Sequence, residues 1–182
     1  MHCQEPTGLL IIGHGTRFHP GRVEFRDTVN HLRTLLPRTV VAAGFLEGGA
    51  PTIESGWQAL IARGVKQVIA SPLLLFTAGH ARRDIPEILD QLARQTPNVK
   101  IRQMAPLGCD PALVQLSVRR YRQALESASP RGTRSPASTR LLFVARGARD
   151  SRARHEAERY AQLVAKTAQP DQLSTCFLAM AE

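Results

Sequence analysis

Two histidines stand directly after glycines at points where a buried strand would end. His14 lies in Gly13-His14-Gly15, just past the apolar run 9–12, and His80 closes Thr77-Ala78-Gly79-His80, just past the apolar run 73–76. Neutral imidazole is a common ligand for divalent transition metals and also takes up a proton near neutral pH. Two imidazoles at one edge therefore offer metal handling, proton transfer, or both. Glu47, in Glu47-Gly48-Gly49, offers a carboxylate at the end of another apolar stretch. Arg17, Arg82 and Arg83 flank the two Gly-His loops, and a guanidinium can pair bidentately with a ligand carboxylate. Each feature has a plainer alternative: an incidental turn histidine, a solvated loop glutamate, a cationic rim. His19 in a polar turn, His31 and His155 on helix faces, and His2 near the start carry less weight.

Such residues work together only if the elements between them bring the loops to one place. Residues 9–12 read as a strand buried on both faces. Phe25, Val29, Leu32 and Leu36 recur at helical spacing until Pro37. Residues 40–46 form a second strand, and Ile53, Trp57, Leu60 and Ile61 mark a helix ended by Gly64. A third strand covers 68–76. The next helix opens at Asp84, with Glu87 three positions on as in a capping box, and buries Ile85, Ile88, Leu89 and Leu92. A fourth strand covers 99–105, and Asp110-Pro111 opens a helix with Val114, Val118, Tyr121 and Leu125 inward. Strands alternating with helices predict an α/β fold with a parallel sheet and right-handed crossovers. In such sheets ligands bind beyond the carboxyl ends of the strands. That edge holds the loops of His14, Glu47 and His80.

The chain repeats itself. Residues 127–139 are rich in Ser, Pro, Gly and Arg and read as a linker. Then Leu141-Leu142-Phe143-Val144-Ala145-Arg146-Gly147 mirrors Leu9-Leu10-Ile11-Ile12-Gly13-His14-Gly15. An offset of 132 positions (Gly13 to Ala145) also pairs Arg22 with Arg154, Glu24 with Glu156 and Phe45-Leu46 with Phe177-Leu178, without a gap. The domains expected are thus 1–126, a linker 127–139, and a truncated second repeat 140–182, with the chain read as a fragment because a half sheet with apolar edges is a poor ending. In the second copy Arg146 replaces His14 and Ala179 replaces Glu47, so it is expected to be structural rather than catalytic.

Composition narrows the class. With 43% hydrophobic residues among 182, a real core is expected. No apolar run approaches a bilayer's thickness, and the first residues lack a secretion signal. Cys3, Cys109 and Cys176 are odd in number and widely spaced; they favour reduced thiols in a cytoplasmic protein. The net charge of +9 attracts anions. The arginines are spread over several helices without interleaved aromatics, and no nucleic-acid motif appears, so neither nucleic acid nor membrane is an expected partner.

The motifs Gly13-His14-Gly15-Thr16-Arg17, Phe45-Leu46-Glu47 with Pro51, Pro72-Leu73-Leu74-Leu75-Phe76 with Gly79-His80 and Asp84-Ile85-Pro86, and Pro106-Leu107-Gly108 together resemble the sirohydrochlorin chelatases of the CbiX/SirB type. The resemblance covers residues 8–126 and restarts, weakened, at 140–182. It implies a chelatase-like, flavodoxin- or Rossmann-like three-layer α/β domain followed by a partial second repeat. It also implies insertion of cobalt or iron into sirohydrochlorin without ATP, on a cobalamin or siroheme route. His14 and His80 would handle the metal, with Glu47 assisting. The metal is then a substrate rather than a permanent cofactor, the tetrapyrrole is the partner molecule, and a homo-oligomer is possible. One departure stands out: members often carry a second acidic residue just before the proline of the second motif, where this chain has Ala50.

Two other functions fit parts of the pattern. A non-catalytic metal- or tetrapyrrole-binding module would keep both histidines but show no turnover. A flavodoxin-like nucleotide binder would need a phosphate-cradling loop. The segment Gly13-His14-Gly15-Thr16-Arg17 is short for that and places His14 where a small residue would serve better.

Overall fold

The computed structural model describes residues 5–76, 80–128 and 138–179. The start of the chain with His2 and Cys3, the loop 77–79 and most of the linker lie outside the described residues, as do the side chains of His80 and Ala81. The elements run β1 (Thr7–Gly13), α1 (His19–Leu35), β2 (Val40–Phe45), α2 (Ile53–Ile61), β3 (Gln67–Pro72), a π-helical turn (His80–Asp84), α3 (Ile85–Gln95), β4 (Lys100–Gln103), α4 (Pro111–Ser127), β5 (Arg140–Ala145), α5 (Ser151–Ala168) and β6 (Gln172–Phe177). They group into two compact units: among the described residues, the first takes those up to Leu75 and 80–106, and the second takes Phe76 and those from Leu107 on.

The first unit is a four-stranded parallel sheet in the order β2-β1-β3-β4. Its central strand explains the unbroken apolar run in the sequence. Ile11 and Leu9 face α1, packing with Val29, Val41, Phe25 and Leu32. Leu10 and Ile12 face the other way, into Ile53, Trp57, Leu60, Ile85 and Leu89 of α2 and α3. Both faces are covered, which gives the three layers expected. Burying each of these large aliphatic side chains stabilises the fold by about 1.5–3 kcal/mol.

The second unit pairs β5 with β6 in parallel and packs α4 against α5 through Val114, Val118, Tyr160 and Val164. Tyr160 donates to the Leu113 carbonyl (2.9 Å) and shares a hydrogen bond with Ser117 (2.8 Å). In sequence, α4 falls inside the 1–126 repeat; in space it groups with residues 138–179, because its apolar stripe is buried on α5. Burial also pushes the Cys109 thiol above its ordinary range.

Several expectations change in detail. The third strand stops at Pro72, and Leu73 to Phe76 continue as irregular chain. The fourth strand is shorter, Lys100–Gln103. The first helix starts at His19, so His19 is helical rather than part of a turn. No capping box forms at Asp84: that residue is itself in helical conformation at the end of the π-helical turn, with no side-chain cap. Its carboxylate meets the Arg83 Nε at 3.2 Å instead. Asp110 caps the helix expected to open at Asp110-Pro111, accepting from the Ala112 N–H at 2.8 Å.

Candidate active site

The exits of β1 and β2 are joined by the backbone. The Leu46 N–H donates to the Gly13 carbonyl (2.9 Å) and the Glu47 N–H to the His14 carbonyl (3.1 Å). Gly15 has φ +101°, and a Cβ there would lie 1.7 Å from the Glu47 carbonyl oxygen. Only glycine allows two loops to approach this closely. One residue earlier, a Cβ on Gly13 would lie 2.7 Å from the Phe25 ring. The glycines on either side of His14 thus fix the backbone that carries it.

The result is a specific pair. His14 Nδ1 lies 3.4 Å from Glu47 Oε1, and the two side chains are 41% and 57% exposed. Nδ1 also lies 3.4 Å from the Gly15 carbonyl oxygen; a proton on Nδ1 would serve either acceptor and leave the lone pair on Nε2, as in metal-binding histidines oriented by a second group. Both groups are reachable from outside, so the pair can meet a dissolved ion and a large ligand. Among the described residues no cluster of three or more His, Cys, Asp or Glu side chains stands ready as a closed metal cage.

The other expected residues are placed unevenly. The backbone of His80 opens the π-helical turn that follows β3, while its imidazole lies outside the described side chains. Arg82 and Arg83 are exposed on that same turn, and Arg83 faces Asp84. Arg17 is exposed just past the Gly-His loop, where the Phe18 N–H donates to the Thr16 hydroxyl. What sequence reasoning missed is the contact that pairs His14 with Glu47. The two were placed at one edge, but their adjacency depends on Gly15 touching the carbonyl of Glu47. The internal repeat held the available signal, because Gly147 recurs at the matching position.

A CbiX family model matches residues 8–124. The sirohydrochlorin ferrochelatase of Priestia megaterium is 30% identical over 95% of this chain and 62% of its own length. The sirohydrochlorin cobaltochelatase of Methanosarcina acetivorans is 29% identical over 66% of this chain and 98% of its own length. Among solved structures, SirB from Bacillus subtilis with Fe3+ superposes with a TM-score of 0.84 at 27% identity, covering 97% of this chain and 67% of that one. SirB from Bacillus subtilis subspecies spizizenii in complex with cobalt gives a TM-score of 0.80 at 25% identity, covering 93% of this chain and 66% of that one. This chain spans 62% of the length of the Priestia ferrochelatase and of its Bacillus subtilis counterpart.

Proposed function

The chain belongs to the CbiX family, and from that premise we propose that it inserts Co(II) or Fe(II) into sirohydrochlorin with release of two protons. The observation that carries this reading is the His14–Glu47 pair, held by two joined strand exits at the open edge of a parallel sheet. The likeness to ferrochelatases, to cobaltochelatases and to a SirB structure in complex with cobalt supports it.

Insertion makes three demands. The ion must shed water into a site with an open side, two pyrrole nitrogens must lose protons, and the macrocycle must be held against the ion. His14, oriented through Nδ1 by Glu47, presents Nε2 to the ion, and His80 is the second ligand. Two neutral imidazoles hold a divalent ion loosely enough to pass it on. Glu47, or an imidazole not holding the ion, accepts one pyrrole proton, and the other leaves to solvent. Arg17, Arg82 and Arg83 form a cationic rim for the carboxylates of the substrate. The metal passes through as a substrate, and no permanent cofactor is needed.

Residues 1–126 act as the chelatase-like domain, 127–139 as the linker and 140–182 as a structural partial repeat. The setting is cytoplasmic, consistent with free Cys109 and Cys176 and with the absence, among the described residues, of any helix long and apolar enough to cross a membrane. Neither nucleic acid nor membrane is a partner, and self-association into a homo-oligomer is compatible with this reading. The direct test follows the visible absorption of sirohydrochlorin with Co(II), Fe(II) or Ni(II). Spectral conversion faster with the protein than without it is expected for Co(II) and Fe(II). Equal rates for every metal would refute the enzyme reading.

A further inference from the structure

A groove of about 460 Å3 runs along the outer edge of β2, between α1 and α2. Arg22, Arg26, Arg33 and His19 rise from one stripe of α1 above a floor that includes Val29 and Phe45. None of the residues lining it is acidic. Two of the arginines are occupied. Arg33 donates through Nε to the Val41 carbonyl (3.1 Å) and through Nη1 to Asn30 (2.9 Å), and Arg26 lies 3.7 Å from Asp27. Arg22 has no ion pair among the described residues. Its side chain lies against the loop that carries Glu47: a Cβ on Gly49 would be 3.8 Å from Arg22 Cδ and 4.0 Å from Nη1.

The edge of β2 does not accept a further strand. Arg33 caps it at Val41, and at the other end the Phe45 N–H donates to the Pro51 carbonyl (2.8 Å). The upper end of the groove, bordered by Arg22, Ala50 and Pro51, is open to a small anionic group. The internal repeat provides a control. On the corresponding face of α5, a pocket has Arg154 and Phe177 at the positions of Arg22 and Phe45, but Glu156 and Glu158 line it too. Carboxylates there offset the positive charge. In the first groove the arginines are the only charged lining residues.

We propose that Arg22 and the upper end of this groove bind a peripheral carboxylate arm of the tetrapyrrole, setting how the macrocycle sits over Glu47 and His14. The choice of a tetrapyrrole rests on the proposed function; the carboxylate chemistry rests on the groove. A free small carboxylate is the other possible source of the same group. A metal-free fluorescence titration separates these. An octacarboxylate porphyrin and citrate are each titrated against wild type, Arg22→Ala, Arg22→Gln and the exposed helical control Arg120→Ala.

Losing a charge-assisted hydrogen bond to a carboxylate is expected to weaken porphyrin binding about tenfold in both Arg22 variants and under twofold in Arg120→Ala. In insertion assays the Michaelis constant should rise in proportion while kcat stays near wild type. Porphyrin affinity unchanged in the folded Arg22→Gln protein overturns the proposal, and so does a loss confined to citrate. If wild type inserts no metal yet its porphyrin binding depends on Arg22, the proposed function fails and the carboxylate site stands.

Discussion

The two repeats make the same backbone structure and put different side chains on it. In the first, Gly8 pairs with Val40 and the register runs on to Gly13 with Phe45; in the second, Arg140 pairs with Gln172 and the register runs to Ala145 with Phe177. Every pair is displaced by the same 132 positions. The loops past the strands match as well. Leu46 and Glu47 donate to Gly13 and His14, and Leu178 and Ala179 donate to Ala145 and Arg146. Gly15 presses on the Glu47 carbonyl, and Gly147, at φ +89°, presses on that of Ala179, with a virtual Cβ 1.8 Å away. Yet His14 and Glu47 are replaced by Arg146 and Ala179. A permanent cation cannot coordinate a divalent metal. The joined turn is therefore a structural device shared by both repeats, and only the first repeat puts an imidazole and a carboxylate on it.

The largest effects should come from the device itself. Gly15→Ala places a methyl group inside the Glu47 carbonyl and forces a positive φ on a residue with a side chain. The two loops must separate, so insertion should be abolished and the melting temperature should fall by several degrees. Gly147→Ala should lower the melting temperature similarly but leave insertion detectable. If Gly15→Ala kept wild-type rates, the contact would not matter to the site.

The next comparison lies in the core. Leu10 is fully buried, whereas its counterpart Leu142 is 57% exposed. The α2 and α3 side chains that cover Leu10 have no counterpart over Leu142 among the described residues. Leu10→Ala should cost about 2–5 kcal/mol in denaturant unfolding, and Leu142→Ala about 0.5 kcal/mol or less. Equal losses would mean that the second sheet face is covered in solution.

Smallest is the effect of the rim. The double variant Arg82→Ala, Arg83→Ala should raise the Michaelis constant for sirohydrochlorin a few-fold at low salt. The difference should shrink as salt rises, because exposed charges are screened. A change in kcat alone would assign these arginines to the chemical step instead.

Much of this was legible in the sequence for identifiable physical reasons. The run at residues 9–12 signalled a doubly buried strand, and the constant offset of the repeat anticipated the strand register residue by residue. The sheet-edge rule placed His14 and Glu47 on the same rim. Local chemistry was less legible. Asp84 and Glu87 fit the spacing of a capping box, but the π-helical turn ahead of them leaves Asp84 in helical conformation, unable to cap. The residues of α4 read as the close of the first domain, yet Val118 is buried against α5. Arg22 stood out only as half of a repeated pair, and its place beside Gly49 emerges from tertiary packing.

The central claim is that one joined turn is catalytic and its copy is not, and the initial rate of cobalt insertion into sirohydrochlorin tests it most directly. His14→Ala and Glu47→Gln should each lower that rate by about 10²–10⁴ with circular dichroism unchanged, while Arg146→Ala stays within about twofold of wild type. Near-normal rates in the first two variants, or a comparable collapse in Arg146→Ala, would contradict it.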